Sequence, residues 1–331
     1  MKTLLLKESD IKRLLSMGEV MQAVELAFAE KGLNRVQMPA KIYLFFKKYN
    51  GDLRAMPSYL EGLDISAVKV VSVHTDNRTQ FNLPTVMATL IVVDPRNGAT
   101  IAIMGGTWIT HMRTGASGGV AAKYLARKDS KIIGFVGAGA QSRTQLMALC
   151  ALYERLEEIR VWSRTKETRK EFIDEMKPLC PNVNQMVPVD EAENAVRGAD
   201  IVVTTTPSTV PIVFNDWISP GMHITCIGAD APGKQELDPA ILKRAKIVVD
   251  DWEQASHSGE INLPLKQGII KRKNVYGEIG EIIAGLKKGR TSSDEITVFA
   301  STGLAIHDAI TANIAYKKAL AQRMGQFIEI M

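Results

Sequence analysis

Apolar and polar positions follow three different rhythms along this chain. Between residues 8 and 32, Ile11, Leu14, Leu15, Val20, Ala23, Val24 and Ala27 recur at helical spacing with charges between them, which predicts one amphipathic helix. From about 38 to 104 the rhythm shortens to runs of β-branched residues at 68–73, 89–93 and 99–103. Asp94-Pro95-Arg96-Asn97-Gly98, between the last two runs, reads as a hairpin turn. After residue 119, short apolar strands are predicted at 131–136, 158–162, 185–189, 200–205, 223–227 and 246–249, most of them separated by helical or turn segments. Alternation of this kind calls for a parallel sheet covered on both faces. From about 304 the helical pattern returns, with an apolar stripe at Ile306, Ala309, Ile310, Ile314 and Ala315. The predicted class is therefore α/β. A doubly wound parallel sheet over 119–303 is inserted into an α+β domain, 1–118, to which 304–331 returns.

Composition narrows the function classes. With 41 basic and 36 acidic residues the net charge is +5, and charges of both signs are plentiful. The tightest basic runs, Lys271-Arg272-Lys273 and Lys287-Lys288-Gly289-Arg290, are short and lack interleaved aromatics, so a nucleic-acid groove is not expected. Cys150, Cys180 and Cys226 are odd in number and far apart, which fits a reducing cytoplasm and no disulfide framework. The three leucines at Leu4-Leu5-Leu6 are too few for a signal-peptide core, and no apolar run is long enough for a membrane helix. The expected location is the cytoplasm, with no membrane partner.

The strongest local signal is Ile132-Ile133-Gly134-Phe135-Val136-Gly137-Ala138-Gly139-Ala140-Gln141-Ser142. An apolar strand runs into Gly137-x-Gly139, and a helix opens immediately after. Gly137 permits the tight turn, Gly139 lets the backbone approach a pyrophosphate, and free amides at the helix start receive it. Ser142 replaces the usual third glycine. A second strand follows on schedule, giving the Rossmann-type pattern for a dinucleotide. That strand ends in Ser163-Arg164-Thr165-Lys166 with no carboxylate to bind a ribose 2′-hydroxyl. These residues suit a 2′-phosphate, so NADP(H) as well as NAD(H) is expected. Thr205, Thr206, Pro207 and Ser208 end another strand and are candidates to line the cofactor.

Cations also stand in apolar surroundings: Lys69 inside Val68-Lys69-Val70, Lys41, Arg54 and Arg113. A strand lysine is most often an edge or surface residue, and pattern alone does not put these cations on a ligand. Asp230, in Gly228-Ala229-Asp230-Ala231-Pro232-Gly233-Lys234, follows a buried-looking strand and is a candidate acid–base group; its plain alternative is a turn residue. Glu253 and His257 are four apart but have no third partner, so a surface pair is expected and no metal.

Together these segments resemble the ornithine cyclodeaminase/mu-crystallin family over essentially the whole chain. The resemblance is carried by Gly51–Pro57, Leu83–Ala88, Met112–Ala116, Gly137–Gln141, Gly228–Lys234 and Ser301–Ala305. Within the family it lies nearest archaeal-type alanine dehydrogenases and 1-pyrroline-2-carboxylate reductases. The resemblance implies a homodimer joined through the N-terminal domain, a catalytic pair Lys69 and Asp230, and a substrate carboxylate held by Lys41, Lys69 and Arg113. It also implies substrate contact at Arg54 and Thr302. Cofactor contact is implied at Thr85, Arg113, Thr114, Lys234 and Ser301, beside the Gly228-Ala229 backbone. Ornithine cyclodeaminases carry a glutamate where Arg54 stands, and a cation there disfavours a diamino acid. The expected reaction is hydride transfer to the α-carbon of 1-pyrroline-2-carboxylate, giving proline. The alternatives are alanine dehydrogenase, then ornithine cyclodeaminase, or a non-enzymatic NADPH-binding protein.

Overall fold

In the computed structural model, which describes residues 2–330, the chain divides into two compact units. One runs to Arg113 and resumes at Leu304; the other is Thr114–Gly303.

The second unit is built on eight strands, all parallel. Their order is Val183–Pro188, Leu156–Trp162, Ile132–Val136, Ile201–Thr204, His223–Cys226, Thr297–Ala300, Lys246–Val249 and Val275–Glu278. Side chains alternate between the sheet's faces. Ile133, Phe135, Ile201 and Val203 enter one buried core, while Val136 and Val202 enter another. Apolar cores on both faces explain why these strands read as unbroken hydrophobic runs. Val275–Glu278 and Thr297–Ala300 were not anticipated; the first is only four residues long and contains Gly277, so its pattern is weak.

The first unit holds a mixed sheet ordered Gln326–Glu329, Lys2–Leu6, Thr100–Gly105, Val86–Val93, Ile65–His74, Gly51–Leu60 and Val36–Gln37, with Ile42–Phe46 also paired to Gly51–Leu60. Val86–Val93 and Thr100–Gly105 form the expected antiparallel hairpin. The single helix expected over 8–32 is two, Glu8–Leu14 and Met17–Gly32. Leu15 and Ser16 have extended backbone between them, with Ser16 as N-cap of the second helix. The C-terminal helix, Ala305–Gln322, ends at Arg323 in the left-handed region (φ 52°). The chain then returns as a strand antiparallel to Lys2–Leu6, so the leucines at 4–6 belong to a sheet.

Helix Ala305–Gln322 packs on the strands Ile65–His74, Gly51–Leu60 and Val86–Val93. The buried face beneath it carries Arg54, Met56, Ala67, Lys69, Val71 and Leu90.

Candidate active site

Parallel register aligns the carboxyl ends of the second unit's strands. Val136 lies opposite both Trp162 and Thr204; Thr204 lies opposite Cys226, and Cys226 opposite Ala300. The loops that begin at Gly137, Ser163, Thr205, Ile227 and Ser301 therefore leave along one sheet edge, where open α/β sheets take their ligands. A cleft of about 470 Å³ opens there, lined by Gly137–Gly139, Trp162–Thr165 and Thr205–Thr209 among others.

The glycine turn fits a dinucleotide. Gly137 has φ +114°, and a Cβ there would collide with Thr205 Oγ1. Gly139 caps helix Ala140–Leu152 and has nothing near its missing Cβ, leaving that backbone open to a phosphate. Ser142 does more than fit. Its hydroxyl lies 2.8 Å from the Gly137 carbonyl and 2.6 Å from Thr205 Oγ1, tying the turn shut. Gly115 and Gly118 allow the chain after Thr114 to press against this helix. A Cβ on either would strike Thr144 or Gln145, and Gln145 Nε2 donates to the Thr114 carbonyl at 2.8 Å.

At the second strand's end, Ser163 Oγ donates to the Thr165 carbonyl at 3.0 Å, and Thr165 caps the helix Lys166–Met176. No acidic side chain stands among Ser163, Arg164 and Thr165, which line the cleft.

Three buried carboxylates that the sequence pattern did not flag organise the same edge. Glu236 accepts from Thr204 Oγ1 (2.8 Å), Thr206 N (2.6 Å), Thr206 Oγ1 (2.8 Å) and Gly228 N (2.9 Å), tying two strand ends together. A side chain at Gly228 would collide with the Thr206 backbone. Burial pushes the Glu236 carboxyl up to about 7. Glu260 accepts from the backbone of Glu236 and Leu237, and burial together with the Glu236 charge raises its carboxyl well above the ordinary range. Asp250, fully buried, receives Ser301 Oγ (3.1 Å), Thr302 Oγ1 (3.1 Å), and the backbone amides of Thr302 (2.6 Å) and Gly303 (2.8 Å). The Ser301 and Thr302 hydroxyl protons are thus directed inward. A ligand would meet these hydroxyls as acceptors.

Asp230 is a third exposed and pairs with Lys234, Oδ1 to Nζ 2.6 Å. Gly233 (φ +79°) turns this loop, and Asn262 fixes it by donating to the Lys234 carbonyl at 3.1 Å. Lys234 is thus held by Asp230 and does not line the cleft beside Gly137.

In the first unit Lys69 is not at an edge. Its strand lies between two others, opposite Met56 and Leu90, and the side chain is fully buried. Its amine meets Asp308 Oδ2 at 2.8 Å, and Arg113 Nε meets Asp308 Oδ1 at 2.9 Å. Burial, then the Arg113 charge, brings the Lys69 amine down to about 7 against the pull of Asp308; Lys41 is close enough to lower it further. Burial pushes Asp308 up, but Arg113 and Lys69 outweigh it and hold the carboxyl below its ordinary value. His111 and His307 are depressed, chiefly by burial, to about 4 and about 3 and stay neutral at pH 7. Asp308 carried no motif; it sits in the first turn of a helix, where an acidic residue is ordinary.

Arg54 shares the buried face but is not a bare cation. Its Nε and Nη2 reach Asp52 at 2.9 and 3.1 Å, and its guanidinium lies 5.2 Å from the Tyr43 ring. The Arg54 charge is therefore offset by Asp52. Thr85 offers its carbonyl to the His74 amide at 2.9 Å. His257 folds back onto the Glu253 carbonyl, 2.7 Å from Nδ1, and no three-residue metal cluster occurs among the described residues. No described helix is long and apolar enough to cross a membrane.

A glycine turn over a helix start, at the carboxyl edge of a doubly wound sheet, defines a dinucleotide-binding α/β protein. The sequence model of the ornithine cyclodeaminase/mu-crystallin family matches residues 1–323, and the chain belongs to that family. It is 47% identical over 329 residues to the alanine dehydrogenase of Archaeoglobus fulgidus, spanning 99% of each chain. An archaeal alanine dehydrogenase dimer with bound NAD superposes with a TM-score of 0.95 at 45% identity over the full length of both. The 1-pyrroline-2-carboxylate reductase of Thermococcus litoralis, solved with NADH and L-proline, matches 98% of this chain and 100% of its own, at TM-score 0.95 and 42% identity.

Proposed function

We propose that this protein is an NAD(P)-dependent oxidoreductase that reductively aminates a small 2-oxo acid, with pyruvate and alanine as the substrate pair. The observation that carries an amino or imino acid substrate is the buried Lys69–Asp308–Arg113 cluster, whose two cations outnumber its one anion. A carboxylate supplies the missing charge. Between candidate substrates, the full-length likeness to an alanine dehydrogenase favours pyruvate and reverses the order expected from the motifs, which put the cyclic imine first. Reduction of 1-pyrroline-2-carboxylate is the second reading, favoured by the Thermococcus structure.

Pyruvate, ammonium, a hydride and a proton give alanine and water. The cofactor, held by Gly137–Gly139, the amides of Ala140 and Gln141, and the 163–165 and 205–208 loops, supplies the hydride when bound. Lys69 and Arg113, with Lys41 nearby, hold the carboxylate by charge-assisted hydrogen bonds. Asp230 takes a proton from the attacking nitrogen and returns one to the departing oxygen. NAD(H) is the first cofactor to test, as the similar solved structures contain it; the absence of a carboxylate at 163–165 leaves room for NADP(H). A homodimer through the first unit is supported by the exposed apolar side chains Ile42, Leu44, Phe45, Tyr49 and Phe81.

The test is oxidation of NADH and NADPH with pyruvate plus ammonium, run beside 1-pyrroline-2-carboxylate. The proposal expects the larger kcat/KM for pyruvate. A larger value for the imine establishes the second reading, and no turnover of either leaves a binding protein.

A further inference from the structure

We infer that Asp308 is a positioning residue for carboxylate binding, holding Lys69 and Arg113 in one arrangement. The inference rests on the carboxylate-binding role proposed for these cations and does not depend on which oxo or imino acid is used.

The geometry is a one-to-two bridge. One oxygen of Asp308 faces the Lys69 amine at 2.8 Å and the other faces Arg113 Nε at 2.9 Å. Both side chains approach from different elements, strand Ile65–His74 and helix Thr107–Leu125, so the carboxylate sets their spacing. Without it, two cations would be packed together away from water, and the weaker one would shed its proton.

Every other charged or titratable group facing Lys69 works against its charge or is neutral. Lys41 comes from the segment before Ile42–Phe46 and opposes it. Arg54, from Gly51–Leu60, is already joined to Asp52. His111, beside Arg113, and His307, beside Asp308, are held neutral by burial, and Lys31 of helix Met17–Gly32 bears on His307. The group that titrates near pH 7 in this cluster is therefore Lys69, which is brought to about 7 with Asp308 in place.

A sign follows. Below pH 7 Lys69 is charged and binds a carboxylate; above it the amine is neutral, and binding must draw a proton back. Carboxylate affinity should fall as pH rises through 7, with proton uptake on binding. Removing the Asp308 charge moves this fall toward acid.

The experiment uses the NADH-loaded protein and two unreactive carboxylates, oxamate and L-proline, by calorimetry in buffers of different ionisation enthalpy. In the wild type, binding at pH 8 should take up a proton. Asp308→Asn keeps the shape and should move the affinity fall by at least about one pH unit toward acid, weakening binding at pH 7 by at least about fivefold. NADH affinity should stay within about threefold, a change of under about 1 kcal/mol. Asp308→Glu, which keeps the charge, should restore part of the profile. A lowered melting point with an unmoved pH profile reduces Asp308 to a structural role. Tighter carboxylate binding at neutral pH in Asp308→Asn shows a competing anion and overturns the inference. Should that variant not fold, the wild type decides: binding with no proton uptake at pH 8 is also fatal. Failure of both carboxylates to bind the wild type overturns the functional reading itself.

Discussion

Replacing Glu236 by Gln probes whether the cofactor cleft depends on a buried carboxylate behind it. In the wild type Oε1 accepts from Thr206 N and Oγ1, and Oε2 accepts from Thr204 Oγ1 and Gly228 N. The two hydroxyls can rotate to accept; the two backbone amides can only donate. An amide side chain has one acceptor oxygen, so either Thr206 N–H or Gly228 N–H faces an NH2 group. A buried donor left unsatisfied costs about 1–3 kcal/mol. If the bound cofactor requires the Thr205–Ser208 wall in place, this cost appears as about a 5- to 150-fold loss of NADH affinity. The melting point answers differently, because Gln cannot ionise and so escapes the cost of a buried carboxylate; the variant should melt no lower than the wild type above pH 7. The effect also has a pH signature. Burial raises the Glu236 carboxyl to about 7, so the folded protein holds this proton where the unfolded chain has lost it. The group's contribution to stability is present in acid and is lost as pH rises from the ordinary carboxylate range through 7. Below 7 the protonated carboxyl resembles the amide, with one donor and one acceptor, and the NADH affinities of the two proteins should converge. Above 7 they should diverge. The assay is NADH titration by fluorescence from pH 6 to 8.5, with melting curves alongside. An NADH affinity unchanged from the wild type at pH 8.5 would refute the link from Glu236 to the cleft.

Asp230→Ala should keep the fold and NADH binding while lowering kcat by about 10²–10⁴-fold, the usual size of general acid–base assistance; near-normal turnover removes Asp230 from the mechanism. Ser163→Asp should shift kcat/KM toward NADH and away from NADPH by placing an acceptor and a negative charge beside the ribose. An unmoved ratio shows that Ser163 is not at that ribose. Ornithine conversion should be weaker than pyruvate amination, and Asp52→Asn, which frees the Arg54 charge, should weaken it further; an unchanged ornithine-to-pyruvate ratio means that Arg54 does not select the substrate.

The alternating strands and helices of 119–303 and the glycine turn at 137–139 were legible in the chain because their causes are local. A strand buried on both faces must be apolar throughout, and a turn with φ +114° admits little but glycine. The hairpin at 94–98 is local in the same sense. The break at Leu15-Ser16 and the C-terminal strand were not legible. The apolar spacing continues across the first, and the second is defined by pairing with Lys2–Leu6 more than 300 residues away. Residue type and motif could nominate Lys69, Arg113 and Asp230, but not what neutralises or holds each one. Asp308 is 239 positions from Lys69, and Asp250 is 51 from Ser301. Local sequence thus determined the elements, the dinucleotide turn and the family strings. Tertiary structure alone decided the charge balance, because a buried ionisable group takes its protonation and direction from whichever distant side chains the fold sets beside it.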